Sequence, residues 1–348
     1  MNKSLIETYD KQNYLTVLLS FHEQLLSAEN NISNHYSQLT GLKTSAADVR
    51  NIVICGMGGS AIAGDFVKQI FSDHLSIPIN VNRDYTLPPY VNEKTLVILS
   101  SYSGNTEETV SAFNDAVRHN ARIITISTGG AIKELSNNNS IPHIAIPGGF
   151  QPRQAIGYSL VTLFRMMEHL FMESHDANLI SGNIAWINEK QKLWSSPSGN
   201  ELWNWAEHLS VQPVIIYSSE KMFPAALRFK GQICENAKLL AFANTLPEMN
   251  HNEIVGWDGV QSSAPFSVML IRDAGDHPQI QKRFDILKKI LSKKTALYEM
   301  YSEGPDSFSK FMSLIYRGDW LSYFMAIVRK TDPTPVDIIT QFKNELSK

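Results

Sequence analysis

The sequence predicts an α/β protein of two doubly wound parallel-sheet domains behind a helical N-terminal extension. Three observations carry this. Short β-branched runs alternate with helix-compatible stretches, which is the pattern of a parallel sheet wrapped by helices. The alternation pauses at a Ser/Pro/Gly-rich segment, SSPSGN at 195–200, and then restarts. Glycine- and hydroxyl-rich turns follow the strands of the first half only. A chain of 348 residues has room for two domains of ordinary size.

Composition narrows the classes further. The chain is 43% hydrophobic and 19% charged, enough for a sizeable core and too apolar for a disordered chain. Its net charge of −3 offers no overall basic field to nucleic acid or an anionic membrane. No apolar run reaches the ~20 residues of a membrane span. The opening MNKSLIETYDKQNYL has no apolar secretion signal, so a cytoplasmic location is expected. Cys55 and Cys234 are the only cysteines, too few for a disulfide framework or a cysteine-based zinc site.

The elements follow in order. Residues 1–50 form the helical segment, with Leu15, Leu18, Leu19, His22, Leu25 and Leu26 on one stripe at helical spacing. The first domain covers 51–194. NIVIC (51–55) is a strand of the kind buried on both faces, and GMGGS (56–60) leads from it into a helix over 61–71. Strands are expected at 77–81, 95–100, 122–126 and 143–146, with helices at 107–118, 131–137 and 156–175. The second domain, 201–348, has strands at 211–217, 239–242, 266–271 and 296–301. Helices at 224–237, 279–293, 307–329 and 335–346 complete it.

Two of the strand-to-helix turns suit an anion. Such a turn presents free backbone N–H groups and the positive end of the helix dipole, a geometry that binds phosphate. In the first turn Gly56, Gly58 and Gly59 allow close backbone approach, and Ser60 adds a hydroxyl. In the second, Ser101, Ser103 and Thr106 surround Gly104. Thr106 alone would suit an N-cap; three hydroxyls and a glycine at one turn exceed what a cap requires. The rival is a dinucleotide fingerprint, Gly56-x-Gly58-x-x-Ala61 with Asp84 beyond the next strand. That rival leaves the Ser101–Thr106 cluster unexplained. No Walker lysine motif occurs.

These loops, GMGGSAIAGD (56–65) and SSYSGNTEET (100–109), resemble the sugar isomerase (SIS) domain. Pro152-Arg153 ahead of Gly157-Tyr158, CENAK (234–238), NHNE (250–253) and DPTPV (332–336) leading to Lys343 extend the likeness. In this order the motifs resemble the bifunctional phosphoglucose/phosphomannose isomerase family, over roughly residues 50–348. The resemblance implies two SIS-type domains of flavodoxin-like three-layer α/β/α form, each with a five-stranded sheet, in a homodimer. It implies interconversion of glucose 6-phosphate or mannose 6-phosphate with fructose 6-phosphate, without metal or nucleotide. Matched motif by motif, Gly59, Ser60, Ser101, Ser103 and Thr106 would hold the phosphate. Glu235 would be the base, Arg153 would stand beside the enediolate, and His251 and Lys343 would open the ring. His251 would reach the site from the partner subunit.

Aldose–ketose isomerisation wants those residue types. One carboxylate, its pKa open to tuning by burial, can take a proton from C2 and return it to C1 through a cis-enediol. An arginine stays charged beside the developing oxyanion without competing as a base, and a histidine titrating near neutrality can protonate the ring oxygen. Duller readings stand beside these. Glu235 has Arg228 and Lys238 on its helix as ion-pair partners, His251 lies in a polar loop, and Lys343 sits in a terminal helix. Met166, Met167, Met222, Trp203 and Trp205 are expected in packing. His74, His119, His143 and His208 show no metal-ligand spacing. The alternatives are a non-catalytic sugar-phosphate-binding SIS regulator, an amino-sugar enzyme of the same fold, and a dehydrogenase. Against glutamine hydrolysis, Asn2 stands where such enzymes carry a cysteine nucleophile.

Overall fold

The computed structural model describes residues 3–196, 200–260 and 265–346. They form two compact units: Ser20–Ala185, and Met1–Leu19 together with Trp186–Lys348.

In the first unit, β1 (Asn51–Cys55), β2 (Ile79–Asn82), β3 (Thr95–Ser100), β4 (Arg122–Ser127) and β5 (His143–Ala145) make an all-parallel sheet. Its order is β2-β1-β3-β4-β5. Every residue of β3 and all but the first of β1 are buried, which is why both strands are continuous apolar runs. On one face Val53, Cys55, Val97 and Leu99 pack with Ala112, Phe113 and Ala116 of the Glu107–Arg118 helix and Ile132 of the Gly130–Asn138 helix. On the other lies the Gly58–Phe71 helix, where a Cβ on Gly64 would fall 2.9 Å from the Ile54 side chain. The Ile156–Phe171 helix packs against it and against Phe21–Ser33. The result is the three-layer α/β/α form.

The second unit repeats the plan with β6 (Val214–Ser219), β7 (Ala241–Leu246), β8 (Ser267–Arg272) and β9 (Leu297–Tyr301), all parallel in the order β7-β6-β8-β9. Tyr217, Val268 and Leu270 form one core with Phe284, Leu287 and Leu291 of the Pro278–Leu291 helix. The Ser307–Val328 helix is buried almost all round and packs on Phe223–Ala237 and Glu201–Leu209. Among the described residues, no helix is long and apolar enough to cross a membrane.

Several expectations differ from what is found. The N-terminal stripe is not one helix: it breaks at Ser20, and Tyr14–Leu19 and Phe21–Ser33 belong to different units. Leu18 is buried in one unit and Leu25 in the other, while Leu26 is 53% exposed. The units divide inside the Leu179–Trp194 helix, which the sequence reading missed, and not at the Ser/Pro/Gly-rich segment. Residues 197–199 of that segment lie outside the described residues, and Asn200 caps Glu201–Leu209 by accepting from the Leu202 and Trp203 N–H groups. The second sheet has four strands among the described residues, one fewer than the resemblance implies. Its edge strand β7 starts two residues beyond the reading, because exposed Leu240 imitates a strand residue. The 156–175 helix stops at Phe171, where Met172 turns extended.

Candidate active site

The order β2-β1-β3 makes the chain leave β1 for one side of the sheet and β3 for the other. The two following loops diverge at the carboxyl ends of their strands and open a crevice there. The GMGGS and SSYSGNT loops are these two. A dinucleotide fold of the rival kind would order its strands 3-2-1-4-5-6, so the topology removes that reading.

The first loop is shaped by its glycines. A Cβ on Gly56 would stand 2.7 Å from the Ser100 carbonyl, and one on Gly59 would stand 2.9 Å from the Pro152 carbonyl and 3.7 Å from Arg153 Cα. Gly59 therefore lets the short helical turn Pro152–Gln154 lie against the start of the Gly58–Phe71 helix. Ser60, 4% exposed, follows in that helix's first turn.

The second loop is tied by its own hydrogen bonds. Ser101 Oγ donates to Thr106 Oγ1 at 3.0 Å and accepts from the Gly104 N–H at 3.1 Å. Ser103 Oγ accepts from the Asn105 N–H at 3.2 Å. Gly104 has φ +73°, and a Cβ there would fall 1.8 Å from the Gly129 carbonyl, so no side chain fits. Asn105 Oδ1 accepts from the Ala131 N–H at 2.9 Å, and the Gly104 carbonyl accepts from the Ile132 N–H at 3.0 Å. Thr106 occupies the N-cap position of Glu107–Arg118, yet its side chain makes no capping bond. The cap reading thus fails on geometry.

Arg153 is 4% exposed. Gln24 Nε2 donates to the neighbouring Gln154 carbonyl at 2.8 Å, and the Tyr102 hydroxyl accepts from the Phe150 N–H at 3.1 Å. Burial pushes the Tyr102 phenol up, so it stays protonated. Tyr102, Asn105 and Gln24 thus hold this crevice together. The sequence reading missed all three, since their partners lie 48, 26 and 130 residues away.

The other unit carries Glu235, His251 and Lys343 on three separate elements. Glu235 is half-buried in the last turn of the Phe223–Ala237 helix. On the same helix Arg228 is bonded to both Asp319 oxygens at 2.8 and 2.7 Å, and just beyond it Lys238 Nζ donates to backbone carbonyls. His251 is exposed at the end of the turn Glu248–His251. Glu253, two residues on, anchors that loop, its carboxylate accepting from the Tyr217 hydroxyl and from Asn244 Nδ2 (2.5 Å). Trp257 Nε1 donates to Tyr217 at 2.9 Å, and burial pushes the Tyr217 phenol far up. Lys343 is exposed on the Asp337–Leu346 helix. Among the described residues, no three His, Cys, Asp or Glu side chains are grouped to hold a metal ion.

Three clustered hydroxyls at the switch point of one α/β unit, followed by a second such unit, fit a tandem SIS protein. Residues 46–171 match the SIS domain, and 199–346 match the bacterial phospho-glucose isomerase C-terminal SIS domain. The bifunctional phosphoglucose/phosphomannose isomerase of Caldicellulosiruptor bescii is 38% identical over 88% of this chain and 92% of its own. That of Aquifex aeolicus is 36% identical over 86% and 91%. The D-glucosamine-6-phosphate 4-epimerase of Sulfolobus acidocaldarius is 30% identical over 68% and 72%. Among solved structures, tagatose-6-phosphate ketose/aldose isomerase from Escherichia coli shares the fold at TM-score 0.72 and 15% identity, covering 92% of this chain and 95% of that one. The chain belongs to the bifunctional phosphoglucose/phosphomannose isomerase family.

Proposed function

We infer that the protein is an aldose–ketose isomerase that interconverts glucose 6-phosphate and mannose 6-phosphate with fructose 6-phosphate. The observation that carries this is the cluster of Ser101, Ser103 and Thr106 hydroxyls on the loop after β3, at the switch point of a chain in this family. We propose that Gly59, Ser60, Ser101, Ser103 and Thr106 hold the phosphate through backbone N–H groups and hydroxyls. Arg153 then stands beside the enediolate, where a fixed positive charge stabilises the oxyanion as it forms. Glu235 takes the C2 proton and returns it to C1, and His251 with Lys343 opens the ring. General-base catalysis contributes ~10²–10⁴-fold, so stabilisation of the oxyanion must supply much of the remainder.

The direct experiment is a coupled assay of glucose 6-phosphate and mannose 6-phosphate with EDTA present. Formation of fructose 6-phosphate from both is expected. Binding of either sugar with no turnover would establish a regulator instead. The amino-sugar reading has the 30% identical epimerase in its favour. Turnover of glucosamine 6-phosphate with neither hexose phosphate consumed would establish it. We propose further that the chain works in the cytoplasm as a homodimer, with His251 supplied by the partner. Mixing Glu235→Gln and His251→Ala chains should then restore activity in heterodimers, and verified heterodimers without activity would reject the shared site.

A further inference from the structure

Lys238 directly follows the Phe223–Ala237 helix, three residues after Glu235, in the left-handed region at φ 50°, ψ 43°. That conformation is usual for glycine at a helix C-terminus and disfavoured for lysine, so its surroundings must enforce it. The ammonium shows how. Lys238 Nζ donates to the Glu235 carbonyl at 2.7 Å and to the Asp332 carbonyl at 3.0 Å, with Pro333 O at 3.3 Å and Asn236 O at 3.4 Å also facing it. One cation thus joins the backbone of Glu235 to the segment that precedes the Asp337–Leu346 helix and Lys343. Both ends of this link are themselves fixed. Asp332 Oδ1 accepts from the Thr334 N–H at 3.0 Å, setting the turn. On the helix side, Arg329 Nε donates to the Ala237 carbonyl at 2.8 Å, and Asn236 Nδ2 donates to Ser322 Oγ at 3.0 Å and to the Tyr14 hydroxyl at 3.1 Å.

We propose that Lys238 is a positioning residue for Glu235: by binding the Glu235 and Asp332 carbonyls together it sets the carboxylate where it serves both C1 and C2. This rests on the assignment of Glu235 as the base. The demand on position is severe, because one carboxylate must reach two adjacent carbons, and a displacement of about 1 Å can cost ~10²-fold. Tyr14 joins the same assembly, which gives the Tyr14–Leu19 helix a place in the unit that bears Glu235.

The test separates positioning from simple helix capping. Lys238→Met removes the cation, Lys238→Gly removes it while suiting the left-handed backbone, and Lys238→Arg keeps a cation. Each is measured for thermal unfolding, kcat, KM for glucose 6-phosphate, and solvent deuterium uptake at the carbon-bound position, beside Glu235→Gln. The inference expects kcat to fall roughly 10- to 100-fold in Lys238→Met and Lys238→Gly, with KM within about twofold and deuterium uptake falling with kcat. Lys238→Gly should lose activity while unfolding within a few degrees of the parent, and Lys238→Arg should recover part of the rate. If Lys238→Gly keeps kcat within twofold, Lys238 is only a cap and the inference falls, whatever Lys238→Met does. If Glu235→Gln itself keeps near-normal turnover, the assignment of the base falls and the inference with it.

Discussion

Replacing Ser101 by alanine tests the proposed phosphate loop where its geometry is most defined. The Ser101 hydroxyl makes two bonds, to Thr106 Oγ1 at 3.0 Å and from the Gly104 N–H at 3.1 Å. Each contributes ~1 kcal/mol net. The Gly104 N–H also reaches the Ser101 carbonyl at 3.0 Å, so the variant leaves no buried donor orphaned. The stability loss should therefore stay near ~1–2 kcal/mol, a shift of several degrees in Tm. The proposed phosphate binding should lose more, because a Ser101 hydroxyl turned from Thr106 to the phosphate would bond a charged group, a contact that contributes ~1.5–3 kcal/mol. At about 1.4 kcal/mol per factor of ten, KM for glucose 6-phosphate should rise roughly ten- to a hundredfold. Thr106→Val, which keeps the shape and removes the hydroxyl, should do the same. If Thr106 served only the helix, its loss would touch stability and leave KM alone. The assay is steady-state kinetics with inorganic phosphate as competitive inhibitor. KM and the phosphate inhibition constant both within twofold of the parent, in both variants, would refute the reasoning.

Gly59→Ala should lower kcat by pushing the Pro152–Gln154 turn, and Arg153 with it, away from the crevice, since the new methyl would stand 2.9 Å from the Pro152 carbonyl. An unchanged kcat would show that the close approach is dispensable. Asp319→Asn should destabilise by about 3–5 kcal/mol, because Arg228 is buried and Asp319 takes two bonds from it and one from Gln232 Nε2 at 2.7 Å. Urea unfolding within ~1 kcal/mol of the parent would contradict that. His143 has its pKa lowered from 6.5 to about 4 by burial first, then by Lys133 and His35. The unfolded chain therefore binds a proton that the folded chain refuses between those values. Stability is full above about pH 6.5 and falls as pH drops toward 4, by about 1–2 kcal/mol once partial exposure is allowed for. His143→Gln should flatten this slope in denaturant titrations at pH 7 and 5. Equal slopes in both proteins would oppose it.

Much of the fold was legible for a physical reason. Strands buried on both faces must be unbroken apolar runs, so NIVIC and TLVILS declare themselves. The hydroxyl loop was legible because Ser101, Thr106 and Gly104 lie within six residues. The break at Ser20 was not, since Leu18 and Leu25 keep helical spacing across it while serving two cores. Tyr102, Gln24 and Lys238 matter through partners 48, 130 and 94 residues away, and no local pattern encodes a bond of that range. Glu253 lies within the NHNE motif, yet its bonds to Tyr217 and Asn244 are visible only in the folded chain.

The central claim is that Glu235 moves the proton between C2 and C1. The measurement that tests it most directly follows fructose 6-phosphate in deuterium oxide by NMR, with the parent protein and with Glu235→Gln shown to bind the sugar phosphate. The account predicts deuterium uptake at the exchanging carbon together with aldose formation for the parent. For Glu235→Gln it predicts neither, with phosphate affinity intact. Aldose formation by Glu235→Gln at a rate near the parent's would contradict it.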